Sequence, residues 1–401
     1  MKILIIDAFS EAHLDAFAAL GLTVEYKPTL GADELPAAIE DASIVVARSK
    51  EVKAPAIARA KQLALIVRAG AGVNTIDVKA ASHNGIYVAN CPGKNAIAVA
   101  ELTMALLLAL DRRIPDQVRD LRAGAWNKKE YGKADGLYGR TLGVVGTGAI
   151  GREVIGRAKA FGMHVVAWSR SLDDARAAEL GVERMRTVPE LCGRADAVTL
   201  HVALAAETRG LIGEGALLRM RPRTMLVNAA RAEIVDRAAL ERAIAEKQLR
   251  VATDVFDDEP KGATGAFADA LGKSEAVYGT HHVGASTQQA QSAIADETVR
   301  IVRSFVERGE VPSCVNLATR SPAAFQLLVR HFDKVGVLAE VLGAIRRHNI
   351  NVEEMQNTIF EGAQAASAKI RLGSRPPAEL VDELRARTAE ILHVDVVELP
   401  A

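Results

Sequence analysis

Cysteines, aromatic residues and net charge are all scarce in this sequence. Cys91, Cys192 and Cys314 are the three cysteines among 401 residues, and they form no CxxC pair. This argues against a disulfide framework and a thiolate zinc site, so we expect no metal and a reducing compartment, the cytoplasm. Aromatic residues make up 4% of the chain, too few for platforms that stack on nucleic-acid bases. Basic and acidic residues both total 50, and this balance provides no overall field that attracts nucleic acid or an acidic membrane.

The sequence also lacks a long apolar run. The longest one, from Ala96 to Leu110, contains Glu101 and Thr103 and is too short and too polar to cross a bilayer. The chain opens with the strand-like MKILIID, so we expect no signal segment before the fold. A length of 401 residues predicts roughly two to three domains, each with its own core.

Short apolar runs alternate with stretches of helical spacing in two parts of the chain. The first part runs from Lys2 to Asn90, and the second begins at Thr141 and closes near His282. This alternation predicts two doubly wound parallel-sheet domains of the Rossmann or flavodoxin type. A long helix is predicted from Thr287 to Arg308, and after a linker the last stretch follows the order βαββαβ. The predicted fold class is therefore α/β with a small C-terminal domain.

A glycine-rich turn follows the apolar run LGVVG and precedes a stretch of helical spacing. Strand, turn and helix form the context in which GxGxxG binds the pyrophosphate of a dinucleotide. The predicted cofactor contacts in this turn are Gly146, Gly148, Ala149, Ile150 and Gly151. The next predicted strand ends in Ser169 and Arg170 instead of the acidic residue that binds the ribose of NAD. We therefore expect NAD(H) as the cofactor and leave NADP(H) open.

Three ionisable residues follow predicted strands of the second domain, namely Arg231, Glu259 and His282. The carboxyl ends of parallel strands meet at one crevice, so we expect these side chains to converge there. Oxidation of a 2-hydroxy acid needs a base, a cation for the substrate carboxylate and a carboxylate that orients the base. His282, Arg231 and Glu259 fit these roles in that order. His281 competes with His282, but neighbours in an extended strand point to opposite faces, and we favour His282.

Five motifs in this order resemble the D-isomer-specific 2-hydroxyacid dehydrogenases. They are RAGAGVN from Arg68, GTGAIGREV from Gly146, VNAARAEIVD from Val227, DVFDDEP from Asp254 and HVGAST from His282. Together with the last domain, they are most similar to phosphoglycerate dehydrogenases that carry a C-terminal ACT domain. Two positions depart from the family, because Ala232 replaces a usual glycine and His281 replaces a usual proline.

The resemblance implies a role for each part of the chain. Residues 1–91 and 284–312 would form a discontinuous substrate-binding domain, 92–283 the dinucleotide-binding domain and 322–401 the ACT domain. Asp254 would lie near the nicotinamide carboxamide. Arg231 and His282 would contact the substrate, together with basic side chains and backbone amides at two strand-end loops of the first domain. The loop residues are Arg48, Lys50, Ala71 and Gly72, and Lys128 is a weaker candidate.

The C-terminal domain resembles ACT domains that bind an amino acid between paired copies. His331, Asp333 and Asn351 occupy the positions of the effector ligands in serine-responsive relatives. Asp333 replaces an amide there, and its carboxylate would pair with the ammonium group of an amino acid but repel its carboxylate. We expect a homo-oligomer, a dimer or a tetramer, with L-serine as the candidate effector. A dimerisation module without a ligand is the alternative.

These features predict an enzyme that oxidises 3-phosphoglycerate to 3-phosphohydroxypyruvate, the first step of L-serine biosynthesis. A glyoxylate or hydroxypyruvate reductase, or another D-2-hydroxyacid dehydrogenase, is an alternative that Arg170 favours and the extra domain disfavours. A dinucleotide-sensing, corepressor-like binding protein is an alternative of another class. The combination of Arg231, Glu259 and His282 argues against binding alone.

Overall fold

The short apolar runs of the sequence become buried strands in the computed structural model. The structure describes residues 1–260, 264–318 and 321–399. The chain divides into two units, Met1–Asn316 and Leu317–Ala401. The predicted C-terminal domain, 322–401, ends in two residues that lie outside the described part. In the first unit Ile3, Ile5 and Val45 have no exposed surface, as expected for parallel strands that are covered on both faces.

The first part of unit Met1–Asn316 contains a parallel sheet. Its strands are β1 (Lys2–Ile5), β2 (Thr23–Tyr26), β3 (Ile44–Ala47), β4 (Leu65–Arg68) and β5 (Tyr87–Asn90). The helices between them are α1 (Glu11–Ala18), α2 (Leu35–Ala38), α3 (Ala54–Ile57) and α4 (Val78–His83). The order β2-β1-β3-β4-β5 is that of a flavodoxin-like doubly wound sheet. The sequence pattern missed β2 because this edge strand has no run of buried residues.

The second part of this unit contains a larger parallel sheet. Its strands are β6 (Thr141–Val145), β7 (His164–Trp168), β8 (Glu183–Arg184), β9 (Ala197–Leu200), β10 (Met225–Asn228), β11 (Arg250–Thr253) and β12 (Val277–Gly279). The helices before β6 are α5 (Ala96–Arg112), α6 (Ile114–Arg122) and α7 (Lys128–Tyr131). The helices that connect its strands are α8 (Ala149–Ala160), α9 (Asp174–Leu180), α10 (Val188–Arg194), α11 (Glu214–Arg219) and α12 (Arg237–Lys247). Two 3-10 helices span Ala232–Ile234 and Leu271–Lys273.

The strand order of this second sheet is β12-β11-β10-β9-β6-β7-β8. It is the doubly wound order of a Rossmann fold, in which the order of the strands reverses between the neighbouring parallel strands β6 and β9. Ligands of such sheets bind outside the carboxyl ends of the strands at this reversal. The glycine-rich turn follows β6 directly, so the fold places it at the expected crevice.

Two long helices pack on different sheets. Leu107 and Leu110 of α5 belong to the core of the second sheet. Ile301 and Val302 of α13 (Gln288–Arg308) belong to the core of the first sheet. The chain therefore leaves the first sheet before α5 and returns to it at α13. The substrate and nucleotide roles of the two parts stay predictions.

The second unit forms an antiparallel sheet with helices in the order βαββαβ. Its elements are β13 (Phe325–Phe332), α14 (Val337–Arg347), β14 (Val352–Ile359), β15 (Ala365–Leu372), α15 (Ala378–Arg385) and β16 (Ile391–Glu398). The strand order is β14-β15-β13-β16. Leu327 and Val329 alternate with more exposed residues along β13 and pack against Val341 and Ile345 of α14. The predicted α/β fold with a small βαββαβ domain is confirmed.

Neither a membrane-spanning helix nor a metal cluster is found among the described residues. No helix in these ranges combines the length and the apolar character that a bilayer crossing needs. Within the same ranges, His, Cys, Asp and Glu side chains form no group of three or more that could hold a metal ion.

Candidate active site

The glycine-rich turn between β6 and α8 is tightly packed on one side and open on the other. Gly146 has a φ of 101°, and a Cβ at Gly146 would lie 2.4 Å from the carbonyl oxygen of His201. A Cβ at Gly151 would lie 2.0 Å from the carbonyl oxygen of Gly146, so α8 packs closely only because both residues are glycines. A Cβ at Gly148 would meet open space. The N–H groups of Ala149, Ile150 and Gly151, in the first turn of α8, donate to no described residue. They are therefore free to donate to the oxygens of a pyrophosphate.

Ser169 and Arg170 lie beside this turn. They follow β7 directly, and the Gly146 N–H donates to the Trp168 carbonyl oxygen at 2.7 Å. Arg170 is exposed, and neither side chain has a hydrogen bond or ion pair to another described residue. With no carboxylate at positions 169–171, this end of β7 offers a hydroxyl and a cation to the ribose of a nucleotide. Its role in cofactor choice stays a prediction.

His282 and Glu259 form a hydrogen-bonded pair. His282 Nδ1 lies 2.7 Å from Glu259 Oε2, and Glu259 Oε1 accepts the Phe256 N–H at 2.9 Å. Burial raises the pKa of Glu259, but the hydrogen bonds from His282 and Phe256 lower it, and the net shift is downward. An ionised carboxylate only accepts hydrogen bonds, so Nδ1 carries a proton and Nε2 of the neutral ring is left as an acceptor. The pair therefore has the form of an oriented general base.

His281 and His282 do not lie in an extended strand, so the prediction that they point to opposite faces of a strand is wrong. Strand β12 ends at Gly279, and His282 has a φ of 51°, in the left-handed region. The two histidines therefore do not alternate across a strand. The hydrogen bond to Glu259 distinguishes His282, because His281 has no hydrogen bond or ion pair to a described residue.

Asp254 holds the loop that carries His282. It follows β11, is 2% exposed, and accepts three hydrogen bonds from the loop. Its Oδ1 accepts the Thr280 hydroxyl at 2.6 Å and the Val283 N–H at 2.9 Å, and its Oδ2 accepts the Gly284 N–H at 2.8 Å. These bonds fix the backbone on both sides of the left-handed His282. No sequence pattern indicated this contact, and the predicted proximity of Asp254 to nicotinamide stays a prediction.

Arg231 follows β10 in a loop that Asn228 organises. The Asn228 side chain accepts the Ala230 N–H at 3.0 Å and donates to the Arg231 carbonyl oxygen at 2.9 Å. Arg231 Nη1 donates to the Ala230 carbonyl oxygen at 2.6 Å. A Cβ at Gly72 would lie 3.0 Å from Arg231 Nη2, so the guanidinium reaches the loop after β4. Arg231 thereby joins the second sheet to the first at the crevice.

Arg68 also lies at this crevice, although it has no predicted role. It is the last residue of β4, and its Nε is buried without a hydrogen-bond partner among the described residues. Burial lowers its pKa, and the nearby guanidiniums of Arg231 and Arg48 lower it further. A Cβ at Gly70 would lie 1.8 Å from Arg68 Nη1, so the glycine makes room for this side chain. The strand-end position that identified Arg231 also identifies Arg68.

Arg48 and Lys50 lie in a loop that the buried carboxylate of Asp7 holds. Asp7 Oδ2 accepts the N–H groups of Arg48 at 2.6 Å and Lys50 at 3.2 Å. The Lys50 ammonium donates to the carbonyl oxygens of Pro28 and Leu30 at 2.6 and 2.7 Å. The Arg48 guanidinium makes no hydrogen bond or ion pair to a described residue. Arg48 is therefore the better placed of the two predicted phosphate ligands, because most of the Lys50 ammonium is already engaged.

The loop after β4 presents free amides next to the arginines. The N–H groups of Ala71 and Gly72 donate to no described residue, while Asn90 Nδ2 donates to the Ala71 carbonyl oxygen at 2.5 Å. Successive free amides beside a guanidinium form a concave anion site. Lys128, at the start of α7, is exposed, and no contact joins it to these residues in the described structure.

Two of the three predicted effector residues of the second unit are already hydrogen-bonded within it. His331 is 1% exposed, with Nδ1 2.7 Å from the Phe332 carbonyl oxygen and Nε2 3.2 Å from Asn357 Oδ1. Asn351 donates to Glu353 Oε1 at 2.8 Å. The Asp333 side chain has no hydrogen bond or ion pair to a described residue. A single copy of this unit therefore leaves Asp333 most available to a ligand.

Known proteins are similar to this chain over most of its length. Residues 104–284 match the family model "D-isomer specific 2-hydroxyacid dehydrogenase, NAD binding domain". The chain is 39% identical over 347 residues to the D-3-phosphoglycerate dehydrogenase of Methanocaldococcus jannaschii, an alignment that covers 86% of this chain and 64% of that protein. Residues 104–284 therefore form an NAD-binding domain of the D-isomer-specific 2-hydroxyacid dehydrogenase family. The chain spans 58% to 66% of the length of eight curated relatives, all D-3-phosphoglycerate dehydrogenases.

Solved structures resemble about four fifths of this chain. The TT0316 protein from Thermus thermophilus matches with a TM-score of 0.70 and 32% identity, over 79% of this chain and 100% of that chain. The NAD⁺-bound 3-phosphoglycerate dehydrogenase of Entamoeba histolytica matches with a TM-score of 0.66 and 25% identity, over 79% of this chain and 99% of that chain.

Proposed function

We propose that this protein oxidises 3-phosphoglycerate to 3-phosphohydroxypyruvate with NAD. The observation that carries the proposal is the group of three guanidiniums, Arg48, Arg68 and Arg231, beside the His282–Glu259 pair. The relatives named as D-3-phosphoglycerate dehydrogenases support it. The residues of the glycine-rich turn fit the cofactor.

The charges of this substrate match the arginines. A carboxylate and a phosphate monoester together carry about three negative charges near neutral pH. We assign the carboxylate to Arg231 and the free amides of Ala71 and Gly72, because these lie together near the acid–base pair. We assign the phosphate to Arg48. Arg68 lies near both other guanidiniums and would contact the middle or the phosphate end of the substrate.

The chain's own residues would move one proton and hold the charges. His282 Nε2 takes the proton of the 2-hydroxyl group, and the ring becomes an imidazolium that Glu259 stabilises. Arg231 polarises the developing carbonyl oxygen and fixes the carboxylate, since a planar guanidinium grips it with two parallel bonds. When bound, NAD supplies the acceptor for the hydride. Asp254 keeps His282 in place throughout.

Glyoxylate reduction would use the same acid–base pair, but glyoxylate fits the arginines less well. Glyoxylate has no phosphate, so Arg48 and the partly buried Arg68 would keep their mutual repulsion without a counter-charge. A buried donor without a partner costs about 1–3 kcal/mol. The arginine group therefore favours a phosphorylated 2-hydroxy acid.

The test is a spectrophotometric comparison on the full chain. NAD reduction with 3-phosphoglycerate is compared with NADH oxidation by glyoxylate. We expect the catalytic efficiency to be about a hundredfold higher with 3-phosphoglycerate, the effect of losing a phosphate held by charge-assisted bonds. Equal or better use of glyoxylate would contradict the proposal. Binding of NADH without turnover of either substrate would support the dinucleotide-sensing alternative.

We propose that discrimination against NADP is weak. Ser169 and Arg170 offer a 2′-phosphate a hydroxyl and a free cation, and no carboxylate at 169–171 repels it. The measurement is the ratio of catalytic efficiencies with NAD and NADP. A preference for NAD of more than about a thousandfold, or 4 kcal/mol, would reject weak discrimination.

We infer that the second unit is an ACT domain that joins copies of the chain into a dimer or tetramer and binds an amino acid such as L-serine. The βαββαβ order supports this, and so do Met355, Ile359 and Leu392, large apolar residues that are exposed on edge strands. We expect L-serine to raise the melting temperature and to lower the activity. A dimer that shows neither effect would support a dimerisation module without a ligand, and a monomer would contradict the assembly.

A further inference from the structure

A second cleft lies at the opposite end of the second sheet. It has a volume of about 560 Å³ and is lined by residues at the amino ends of β6, β9, β10 and β11. The end of α5 and residues 130–135 form its other walls. The glycine-rich turn and Arg231 follow the carboxyl ends of β6 and β10. Strands of four to five residues separate the two ends by roughly 13–17 Å, so this basic cleft is a different site from the candidate active site.

The basic cleft contains more cations than anions. Seven arginine and lysine side chains line it, against four aspartates and glutamates. Three of these four acidic residues already have basic partners: Arg113 and Lys133 with Glu130 at 2.8 and 2.7 Å, Arg140 with Asp111 at 3.6 Å, and Arg221 with Asp196 at 2.8 Å. Arg112, Arg223 and Arg250 make no side-chain hydrogen bond or ion pair to any residue that the structure describes. The cleft is therefore left with uncompensated guanidiniums.

Arg250 is also repelled by neighbouring guanidiniums. Arg250, the first residue of β11, is half-buried, and burial lowers its pKa; Arg223 and Arg113 lower it further. Asp111 opposes this effect but is itself paired with Arg140. Like charges that face a shared cavity at an effective dielectric constant of about 20 destabilise the protein until an anion enters. The cavity is therefore electrostatically prepared for a negatively charged ligand.

The backbone at Arg223 is a second reason to expect an anion in this cleft. Its φ is 64°, in the left-handed region, and its N–H donates to the Lys247 carbonyl oxygen at 2.9 Å. A left-handed residue with a long side chain costs about 1–2 kcal/mol relative to glycine. The turn before β10 therefore has an unfavourable backbone conformation at Arg223, the residue whose free guanidinium lines the cleft.

We propose that the basic cleft binds a small oxyanion with two or more negative charges, of the phosphate-ester or polyphosphate class, through Arg112, Arg223 and Arg250. Guanidiniums bind such oxygens with paired, charge-assisted hydrogen bonds. A cavity of about 560 Å³ lies within the size range of small-ligand sites, and it admits a group as large as pyrophosphate. This site does not depend on the proposed reaction.

The test is a calorimetric titration of the full chain with inorganic pyrophosphate. Saturating NADH is present throughout, so that the glycine-rich turn is already occupied. We expect one saturable site outside the active site. Arg223→Asn and Arg112→Gln, combined, should weaken binding about tenfold or more. Asn tolerates the left-handed turn, so Arg223→Asn removes the guanidinium and keeps the backbone.

Two matched variants keep the result open to contradiction. Arg176→Gln removes an exposed cation of α9 outside the cleft and should leave the affinity unchanged. Arg48→Gln removes a cation of the candidate active site and should also leave it unchanged. If Arg48→Gln abolishes binding while the cleft variant does not, the pyrophosphate occupies the substrate site and the proposal is wrong. The absence of saturable binding to the unaltered chain would overturn it as well.

Discussion

Arginines gather at both ends of the strands in the first unit, but their surroundings differ. At the carboxyl ends, Arg231 and Arg68 lie near free amides and an acid–base pair, His282 with Glu259. At the amino ends, Arg223 and Arg250 line a cleft in which the described residues contain no such pair. Cations alone explain anion binding, whereas a reaction also needs a proton acceptor held in place. We therefore expect chemistry at the carboxyl ends of the strands and anion binding at the amino ends.

The largest expected effect comes from removing the base. His282→Asn should lower kcat about 10²- to 10⁴-fold, or roughly 3 to 5 kcal/mol of transition-state stabilisation, because it removes the base that Glu259 orients. Steady-state kinetics with 3-phosphoglycerate measures it, and NADH binding serves as the control that should not change. Near-full turnover by the variant would remove His282 from the mechanism.

The second effect separates the phosphate ligand from the rest of the site. Arg48→Ala should raise the KM for 3-phosphoglycerate about 10- to 100-fold, the loss of a charge-assisted contact, and change the KM for an unphosphorylated 2-hydroxy acid far less. Arg223→Asn in the basic cleft is the matched control and should change neither KM. Equal effects of Arg48→Ala on both substrates would show that Arg48 does not contact the phosphate.

A smaller effect is expected at the loop that carries His282. Asp254→Asn keeps the size of the side chain but turns one acceptor toward the loop into a donor, so it should lower kcat about tenfold and destabilise the unit by about 1–3 kcal/mol. Thr280→Val removes one of the three hydrogen bonds to Asp254, so it should lower both kcat and stability by less than Asp254→Asn does. If Asp254 acts only on the cofactor, the KM for NAD should rise in Asp254→Asn while the melting temperature stays constant.

The smallest effect concerns a second histidine at the same end of the sheet. His201 follows β9, is buried, and has Nε2 2.9 Å from the Thr199 hydroxyl. Burial lowers the pKa of His201 to about 3. The unfolded chain binds a proton near pH 6.5 and the folded chain does not, so stability is lost as the pH falls from about 7.5 to 5, by about 2 kcal/mol.

Urea unfolding followed by the fluorescence of Trp126 and Trp168 measures this loss, since both tryptophans lie in the first unit. His201→Gln should remove most of the pH dependence in that range. His164→Gln, at an exposed histidine of β7, is the control and should leave it intact. The same pH dependence in His201→Gln would show that another group carries it.

Much of the fold follows from the sequence because its strands are buried on both faces. Runs such as KILI and IVVA have no polar alternation, and they form the central strands that the pattern predicts. Strands β2 and β8 escaped prediction because both lie at sheet edges and neither contains a fully buried residue. The sequence pattern detects runs of buried apolar residues, and these two strands have none.

The candidate site was predictable only in part. Strand-end positions identified Arg231 and His282, since one rule places such residues at a common crevice. The same rule would have identified Arg68. The hydrogen bonds of Asp254 to Thr280, Val283 and Gly284 could not be predicted, because they join distant segments through the tertiary fold. For the same reason the sequence could not show that Lys50 donates to Pro28 and Leu30.

The central claim is that the arginines hold a phosphorylated 2-hydroxy acid while His282 accepts its hydroxyl proton and NAD receives its hydride. The most direct measurement uses 3-phosphoglycerate deuterated at C2, with the reduced nucleotide examined by mass spectrometry. The account predicts that each turnover places the deuterium on the nicotinamide ring, and that His282→Asn slows this transfer without redirecting it. Deuterium released into water, or no reduced nucleotide at all, would contradict it.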